Sequence, residues 1–410
     1  MVKVRDFGKR EKLFIVSEVF YPDTVSTSYI LTEVAIHLSK RFDIIVICGP
    51  ADYHDNHLYR TNELMNFEIH RIKTISLNKN KLFQRTLRFC FLTIQLSWLT
   101  LIKTRKEDRL LTVTNPAPMI LMMGLITKLK RLRTSIVVHD VFPENLVPAK
   151  ILNPNNVFYK LLRLFFNRAF SSATDLIVLG EDMELMMQNK ISKYSTDTRI
   201  SIIENWADNI NVFPTNRIEN VVLNQLNLQK KIVFQFAGNL GRVQGLKELI
   251  DIIAEANNSQ IASLFIGQGA MRDEIGQYIS NRTVKDIHLL PSFPRSEINI
   301  FLNACDIGIV TLTDGMAGLG VPSKSYNILA AGKPVLYIGA KESAIFQLIL
   351  KEDVGWAFEP KDRLGLLKFF SNISEEFKTS TFKKGVKARE VALSKFSKEI
   401  IFKKYDQLFF

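Results

Sequence analysis

The stretch IVFQFAGNLGRVQGLKELIDIIAEA, residues 232–256, contains a complete pattern of strand, loop and helix. Ile232 to Ala237 is a mainly apolar run, which is typical of a strand buried on both faces of a parallel sheet. Three glycines follow within eight residues, and the amphipathic segment from Leu246 to Ala256 predicts a helix. A buried strand that leads directly into such a helix indicates the βα unit of an α/β protein.

The same alternation of apolar runs and amphipathic segments recurs along the chain. Upstream strands are predicted at 13–16, 44–48, 110–113, 136–138 and 176–179. Downstream strands are predicted at 262–266, 287–290, 307–310, 334–338 and 354–358. The polar segment between the two series indicates a linker or a domain edge. The pattern therefore predicts an α/β fold of two doubly wound, Rossmann-like domains facing across a cleft, at 1–205 and 231–390, with 206–230 between them.

Composition excludes several classes of protein. The chain has 410 residues, of which 47% are hydrophobic and 23% charged, so it is neither disordered, collagen-like nor a coiled coil as a whole. Lys and Arg number 54 against 41 Asp and Glu, and the net charge of +13 favours an anionic partner. Three widely spaced cysteines give neither a disulfide framework nor a zinc-site spacing, which fits a reducing cytoplasm.

The apolar segments predict contact with a membrane surface but no crossing. Met1 to Lys12 lacks the apolar core of an export signal. The longest apolar run, Phe89 to Ile102, and the shorter Met119 to Thr127 fall below the roughly 20 residues that a spanning helix needs. Basic residues flank the first run, namely Lys81, Arg85, Arg88, Lys103, Arg105 and Lys106. The sequence leaves open whether these helices lie on an anionic membrane or pack on a sheet.

A second amphipathic segment carries the same ambiguity. Its apolar positions fall on one helical face, and they are Phe158, Leu161, Leu162, Phe165, Phe166 and Ala169. Its basic residues Lys160, Arg163 and Arg168 lie elsewhere on the helix. A basic amphipathic helix of this kind is typical of membrane-surface binding, and equally of a helix that covers a sheet.

Two loops of the first half follow predicted strands and carry polar side chains. The loop that contains Tyr21, Asp23 and Ser26 leads into a helix, where hydroxyl groups either bind a phosphate or only cap the helix. His139 ends another strand and has Asp140 and Glu144 beside it. Such a histidine either contacts a sugar or phosphate or only satisfies a turn. The spacing of His54 and His57 lacks a third ligand, so no metal site is predicted.

Two glycine-rich loops of the second half suit phosphate groups. The first runs from Gly238 to Gly245 around Arg242, and its backbone amides and guanidinium would cradle a diphosphate unless the glycines only turn the chain. A weaker Gly267-Gln268-Gly269 follows the next strand. The second loop runs from Asp314 to Asn327 and includes Lys324, which suits phosphate oxygens and ribose hydroxyls.

In their order along the chain these motifs resemble the family 4 retaining glycosyltransferases of the GT-B fold, especially the bacterial branch that builds capsule and O-antigen polysaccharides. The matching segments are 21–23, 139–144, 203–208, 237–241, 266–269, 321–324 and 330–334. The resemblance implies a nucleotide-diphosphate sugar in the second domain and an acceptor in the first. It further implies that no metal or other cofactor is required, and that the last helix, 394–410, packs back on the first domain.

The resemblance also assigns expected roles to residues. The expected catalytic residues are His139, Arg242 and Lys324. The donor would be bound by Gly238, Asn239, Gly241, Gly267, Phe293, Asp314, Gly318, Gly320, Ser323 and Asn327. The acceptor would be bound by Tyr21, Asp23, Ser26, Asp140 and Glu144. Reaction with retention would proceed by same-face attack, with the departing phosphate accepting the acceptor's proton.

The chain departs from the family pattern at charged positions. Of two glutamates usual in the family, the second falls on Asn327 and the first falls at Ala317 or Leu319. Asp314 is the expected substitute for the first glutamate. The usual Arg and Lys of the first loop map near Asn239 and Gln244, which leaves Arg242 to supply the positive charge.

The sequence thus predicts a hexosyl- or N-acetylhexosaminyl-type transferase that moves a sugar from a nucleotide diphosphate to a polyprenyl-diphosphate-linked saccharide. It would act in the cytoplasm, peripherally on the inner face of an anionic cell membrane. Two alternatives share the architecture, a nucleotide-sugar 2-epimerase and a non-catalytic subunit that binds sugar nucleotides. Nucleic-acid binding is disfavoured because the basic residues are scattered and no recognition module is present.

Overall fold

The computed structural model describes residues 10–23, 25–51, 66–73, 82–195, 197–281 and 286–410, with side chains described throughout except at 82–86. The segment Met1 to Lys12, predicted to lack an export signal, lies mostly outside this part of the chain. The predictions on His54, His57 and Lys81, and on the side chain of Arg85, fall entirely outside it. The described strands form two separate sheets, and the chain divides into two compact units.

The first sheet has seven strands in the order β3-β2-β1-β4-β5-β6-β7. The neighbours from β3 to β6 are all parallel. The strands are β1 (Glu11–Ser17), β2 (Phe42–Cys48), β3 (Glu68–Arg71), β4 (Arg109–Val113), β5 (Arg133–Val137), β6 (Asp175–Val178) and β7 (Arg199–Ile202). The inner strands are apolar and buried on both faces, as expected for a parallel sheet covered by helices.

The second sheet has six strands in the order β10-β9-β8-β11-β12-β13, with parallel neighbours throughout. The strands are β8 (Ile232–Ala237), β9 (Ile261–Ile266), β10 (Ile287–Leu290), β11 (Ile307–Thr311), β12 (Val335–Ile338) and β13 (Gly355–Phe358). Apolar side chains of the strands and helices of this unit form its core, and Phe234, Phe236 and Phe265 are fully buried there.

Helices alternate with the strands in both units. In the first half they are α1 (Ser26–Leu38), α2 (Leu82–Lys103), α3 (Ala117–Lys130), α4 (Val157–Phe170), α5 (Glu181–Ile191) and α6 (Val221–Gln225). In the second they are α7 (Leu246–Ala256), α8 (Arg272–Ser280), α9 (Ile298–Leu302), α10 (Lys324–Ala330), α11 (Ala344–Glu352), α12 (Arg363–Ser371), α13 (Phe377–Ser394) and α14 (Lys398–Phe409). None of the helices that the structure describes combines the length and apolarity needed to span a membrane.

The compact units do not follow a single cut in the chain. The first comprises residues 1–143, 155–178 and 187–201, and the second comprises 144–154, 179–186 and 202–410. Residues 206–230, expected to be a linker or an edge, belong to the second unit and contain the short helix α6, whose Val222 and Leu223 are buried. The last helix, α14, contacts Trp206 through Phe402 and Glu204 through Lys404. Its packing on the first domain stays a prediction.

Strand order locates where each sheet would bind a ligand. In both sheets the order reverses direction beside the first strand, between β1 and β4 and between β8 and β11. In open α/β sheets, ligands bind outside the carboxyl ends of the strands at this switch point. The loops that follow β1, β4, β8 and β11 are therefore the places to examine for function.

Candidate functional site

A cavity of about 280 Å³ lies in the second unit, outside the carboxyl ends of β8, β9 and β10. Its volume is close to the lower end of the range of small-molecule sites. Five of the residues predicted to hold the donor line it, namely Gly238, Asn239, Gly267, Phe293 and Asn327, and so does Lys324, which was predicted to be catalytic. The other lining residues are Ala237, Ile266, Gln268, Ser292, Ile298, Phe301 and Leu302. The structure thus brings residues of several separate sequence motifs to one cavity.

Lys324 is the cation of this cavity. Its Nζ atom lies 3.4 Å from the centroid of the Phe236 ring. A Cβ placed on Gly238 would lie 3.6 Å from the same Nζ, so the ammonium group adjoins the glycine-rich loop after β8. Burial lowers the pKa of Lys324 to about 7, because the desolvated ammonium form is disfavoured. An anion in the cavity would restore the charged form.

The two loops after β8 and β9 pack against each other through their backbones. The amide of Gly238 donates to the carbonyl of Ile266 over 2.9 Å, and the amide of Leu240 donates to that of Gln268 over 2.8 Å. Gly267 approaches so closely that a Cβ there would lie 1.9 Å from the Gly238 carbonyl oxygen. The short Gly-x-Gly segment, weak as a sequence signal, is therefore required by this contact.

Two amides of the first loop remain available to a ligand. The amides of Asn239 and Gly241 donate to no other residue in the part of the chain that the structure describes. Asn239 lines the cavity, and Gly241 lies two residues further along the same loop. Backbone donors held beside a cation are the groups that bind phosphate oxygens.

Aromatic and amide side chains line the remaining walls. The rings of Phe293 and Phe301 stack with centroids 5.6 Å apart, and they would offer apolar surface to a planar base. Asn327 accepts a hydrogen bond from the backbone amide of Asp208 through its Oδ1 over 2.9 Å. This bond fixes the orientation of the Asn327 side-chain amide. Its Nδ2 group can then donate a hydrogen bond to a hydroxyl.

Arg242, predicted to be catalytic, and several residues predicted to bind the donor do not line the cavity. Arg242 is exposed on the loop after β8. Asp314 is exposed and forms an ion pair with Lys361 over 2.6 Å, which lowers its pKa. Ser323 precedes α10 and makes no side-chain capping bond to it. The structure brings Gly241, Gly320 and these three residues to the same unit. The catalytic role of Arg242 and the donor-binding roles of the other four stay predictions.

The carboxylate of Asp182 binds the second glycine-rich loop at Gly318. The amide of Gly318 donates to its carboxylate over 3.0 Å, so this amide already has a partner within the unit. Gly318 has φ +69°, and a Cβ there would lie 2.7 Å from the Asp182 carbonyl oxygen. Burial raises the pKa of Asp182, against the lowering effect of bonds from amides that include those of Gly318, Met183 and Ala344. Sequence reasoning missed this residue, which looks like an ordinary acidic residue at the start of α5.

In the first unit, His139 lies just beyond β5, with only Val138 between them. The backbone amides of His139 and Asp140 both donate to the Thr114 hydroxyl, each over 3.1 Å. Burial lowers the pKa of His139 to about 4 and raises that of Asp140 to about 6. His139 is therefore a neutral imidazole at pH 7, able to donate or accept a hydrogen bond but not to supply a positive charge.

The loop after β1 differs from the expected capping pattern. Val25 is the N-cap residue of α1 and makes no side-chain cap, and Ser26 is exposed as the first helical residue. Tyr21 donates its backbone amide to Thr32 Oγ1 over 3.3 Å, and Asp23 is buried. Glu144 opens a 3₁₀ turn that belongs to the second unit. Their roles in acceptor binding stay predictions.

The switch point of the first sheet holds a buried ion pair that sequence reasoning missed. Glu18 Oε1 accepts from Arg88 over 3.0 Å, and Glu18 Oε2 accepts from the Asn115 amide over 3.0 Å. Arg88 is thus buried against the sheet and unavailable to a membrane surface, contrary to the grouping of Arg88 with the flanking basic residues. An arginine within an apolar helical pattern was the sequence signal for this pair.

Metal ligands do not cluster in the described part of the chain, where no three His, Cys, Asp or Glu side chains could hold an ion. Cys48, Cys90 and Cys305 are free thiols. Independence from a metal stays a prediction of the sequence.

Comparison with known proteins places the chain. Residues 221–367 match the family model "Glycosyl transferases group 1". The chain is 33% identical over 367 residues to "Probable glycosyltransferase WbjE" of Pseudomonas aeruginosa, covering 89% of this chain and 90% of that protein. It is 26% identical over 156 residues to "Putative colanic acid biosynthesis glycosyl transferase WcaI" of Escherichia coli K12, covering 36% and 37% of the two chains.

The fold is shared with solved glycosyltransferase structures. The crystal structure of Anabaena Alr3699/HepE in complex with UDP and glucose superimposes with a TM-score of 0.69, covering 97% of this chain and 98% of that one at 15% identity. The prediction of two Rossmann-like sheets of GT-B type is therefore confirmed. Because a relative at one-third identity spans most of both chains, this protein belongs to the glycosyl transferases group 1 family and is a glycosyltransferase.

Proposed function

We propose that this enzyme transfers a sugar from a nucleoside-diphosphate donor to a lipid-linked saccharide during the synthesis of a surface polysaccharide, on an anionic membrane. The observation that carries the proposal is the cavity of the second unit, which Lys324, Asn239 and the Phe293 ring line together, with Gly241 two residues beyond Asn239 on the same loop. WcaI is named for colanic acid biosynthesis, and HepE was crystallised with UDP and glucose, which supports both the process and the class of donor.

Each part of a nucleotide sugar would meet suitable chemistry in this cavity. The diphosphate would lie beside Lys324 and the loop amides, where negative charge grows as the glycosidic bond breaks. The base would pack against Phe293 and Phe301, and the ribose would face the Asn327 amide. When the Lys324 amine carries its proton, it neutralises the leaving group in this way without a metal.

The proposed reaction retains the configuration at the anomeric carbon. The bond between that carbon and the phosphate oxygen breaks, and the acceptor oxygen bonds to the same face through an oxocarbenium-like state. The acceptor hydroxyl proton passes to the departing phosphate oxygen. His139, a neutral imidazole, would hold a hydroxyl of the donor sugar by a hydrogen bond.

The proposal is tested by incubating the purified enzyme with a panel of nucleotide sugars and with isolated bacterial membranes as the source of acceptor. We expect one donor to release nucleoside diphosphate in step with sugar that enters the lipid extract, and NMR of the product to show the donor's anomeric configuration. Release of a sugar epimer without acceptor would identify an epimerase instead. Nucleotide binding without turnover would identify a binding subunit.

A further inference from the structure

Three helices of the first unit, α2, α3 and α4, form one layer. Helix α2 lies beside α3, and α3 lies beside α4. Gly124 of α3 lets α4 approach closely, since a Cβ there would lie 2.9 Å from the Ala169 Cα. Within this layer, Leu92 of α2 and Met123 of α3 pack into the same core as the strand residue Phe14. Because both helices bury one side against the same face of the sheet, their opposite sides point the same way.

The outward side of this layer is apolar. The exposed large apolar residues of α2 and α3, and Phe158, Leu161 and Phe165 of α4, recur every three or four positions, which places them in a stripe along one helix face. The stripes consist of Leu87, Phe91, Ile94, Trp98 and Ile102 on α2, of Met122, Leu125 and Leu129 on α3, and of Val157, Phe158, Leu161 and Phe165 on α4. We call these twelve residues the apolar face. Ile94 and Trp98 are 62% and 64% exposed, which is unusual for side chains of this size.

The helices that carry the apolar face have charged residues of one sign. The sequences of α2, α3 and α4 contain no Asp or Glu, although the whole chain has 41 of them. They contain eight basic residues, Arg85, Arg88, Lys103, Lys128, Lys130, Lys160, Arg163 and Arg168. Arg88 is buried with Glu18, whereas Lys103, Lys128, Lys160, Arg163 and Arg168 are exposed. Lys103 pairs with Glu68 of β3 over 3.6 Å, but an apolar surface on helices whose own charged residues are all cations matches the acyl region and headgroups of an anionic bilayer.

We propose that the apolar face docks the enzyme on an anionic phospholipid bilayer, with its side chains among the acyl chains and its lysines and arginines at the headgroups. Trp98 would lie at the boundary between the two regions, where its ring and polar N–H are both satisfied. A second copy of the chain fits this surface less well, because two cationic faces would repel each other. The inference rests on the proposed function only for the reason to dock, which is to reach a lipid-linked acceptor.

Vesicle flotation tests the docking directly. The full-length enzyme is mixed with phosphatidylcholine vesicles, with and without phosphatidylglycerol, and the bound fraction is measured at low and at physiological salt. We expect binding to need the anionic lipid and to weaken with salt, because surface charge is screened. The combined substitutions Ile94→Glu, Leu125→Glu and Leu161→Glu should reduce the partition coefficient at least about tenfold, since carboxylates are costly to bury and repelled by anionic headgroups.

A matched control adds the same charge elsewhere. Ile218→Glu, Leu350→Glu and Leu364→Glu alter side chains of the second unit that are 74%, 60% and 70% exposed. This variant should partition within about twofold of the wild type. Equal loss in both triple variants would show a general effect of charge, and no loss in the first variant would remove the apolar face from membrane binding. Either result would overturn the inference.

A measurement on the wild type avoids any question of folding. Vesicles of brominated lipid quench the fluorescence of tryptophans that enter the acyl region, and of the three tryptophans Trp98 is exposed whereas Trp206 is buried. We expect quenching in the wild type and its loss in Trp98→Phe. Absence of quenching, or a wild-type dimer that the first triple variant dissociates, would assign the face to another occupant.

Failure of this inference and failure of the proposed function give different results. Nucleoside-diphosphate affinity in solution should be equal in the wild type and in both triple variants, because the cavity lies in the second unit. Vesicle binding without nucleotide affinity would refute the function and keep the docking. Nucleotide affinity and sugar transfer without vesicle binding would refute the docking and keep the proposed transferase function.

Discussion

The ammonium group of Lys324 lies 3.4 Å from the centroid of the Phe236 ring, beside the loop that follows the first strand of the second sheet. The ring face attracts a cation, but removal from water penalises the charge more, and the pKa of Lys324 falls to about 7. Near neutral pH the protein therefore holds comparable amounts of the charged and neutral amine. Binding of a diphosphate would shift this balance toward the charged form.

We predict that nucleoside-diphosphate affinity falls as the pH rises through 7. The diphosphate binds the protonated amine, and the free protein holds less of that form above the pKa, so Kd should rise about tenfold from pH 6 to pH 8. Calorimetric titration in two buffers of different ionisation enthalpy should also detect proton uptake on binding at pH 8. Lys324→Met should give the same Kd at both pH values. A steep dependence that persists in this variant would assign the titration to another group.

Substitution of Asp182 tests the support of the second glycine-rich loop. Asp182→Ala leaves the buried amide of Gly318 without its acceptor, so the free energy of unfolding should fall by about 1–3 kcal/mol in urea denaturation. Glu181→Ala, at the exposed neighbouring position, is the control and should change stability by less than about 0.5 kcal/mol. Equal stability of the two variants would mean that the carboxylate does not hold the loop.

Gly267→Ala tests the contact between the two loops that follow β8 and β9. The new methyl group would clash with the backbone carbonyl of Gly238, and no side-chain rotation can relieve this clash. We therefore expect the free energy of unfolding to fall by about 3 kcal/mol or more and nucleotide binding to be lost. Gly276→Ala on α8 is the control. Its new Cβ would meet only a side-chain methyl, that of Leu289 at 3.3 Å, and alanine has the higher helix propensity. Unchanged nucleotide affinity in Gly267→Ala would show that the loop contact is dispensable.

His139 should remain neutral over the working pH range. Its ring protons in an NMR titration, identified by their disappearance in His139→Gln, should shift with a midpoint near pH 4 rather than near 6.5. His139→Ala should lower kcat and leave the nucleoside-diphosphate Kd unchanged, because the cavity lies in the other unit. A midpoint near pH 6.5 would mean that the imidazole is solvated. A raised Kd in His139→Ala would place the imidazole at the nucleotide.

The sequence predicts the strands with apolar runs well and the more polar edge strands of the first sheet poorly. The inner strand Ile232–Ala237 and the edge strand Ile287–Leu290 agree with their apolar runs to the residue. The edge strands Glu68–Arg71 and Arg199–Ile202 were missed, because only one side of an edge strand is covered and few of their side chains are apolar. The prediction that the polar segment 206–230 is a linker or a domain edge stays a prediction, and the structure adds within it the short helix α6 with Val222 and Leu223 buried.

Glycine patterns identified the loops of the site but not the partners of these loops. Lys324 and Gly238 are far apart in the sequence, and only the parallel order of the strands makes them neighbours. Asp182 could not be found from spacing, because its partner Gly318 is 136 residues away along the chain. The apolar helices posed a choice between membrane and core that the sequence left open. The structure answers in part, since each of these helices has a buried side and an exposed side.

Titration of nucleoside diphosphates into the wild type, Lys324→Met and Lys351→Met tests the central claim most directly, namely that the cavity of the second unit holds the diphosphate of the donor. Lys351 is an exposed lysine of the same unit and serves as the matched control. We predict that one nucleoside diphosphate binds the wild type and Lys351→Met equally, and binds Lys324→Met at least about tenfold more weakly, which corresponds to about 1.4 kcal/mol. Equal affinity in all three proteins, or no binding to the wild type, would contradict the claim.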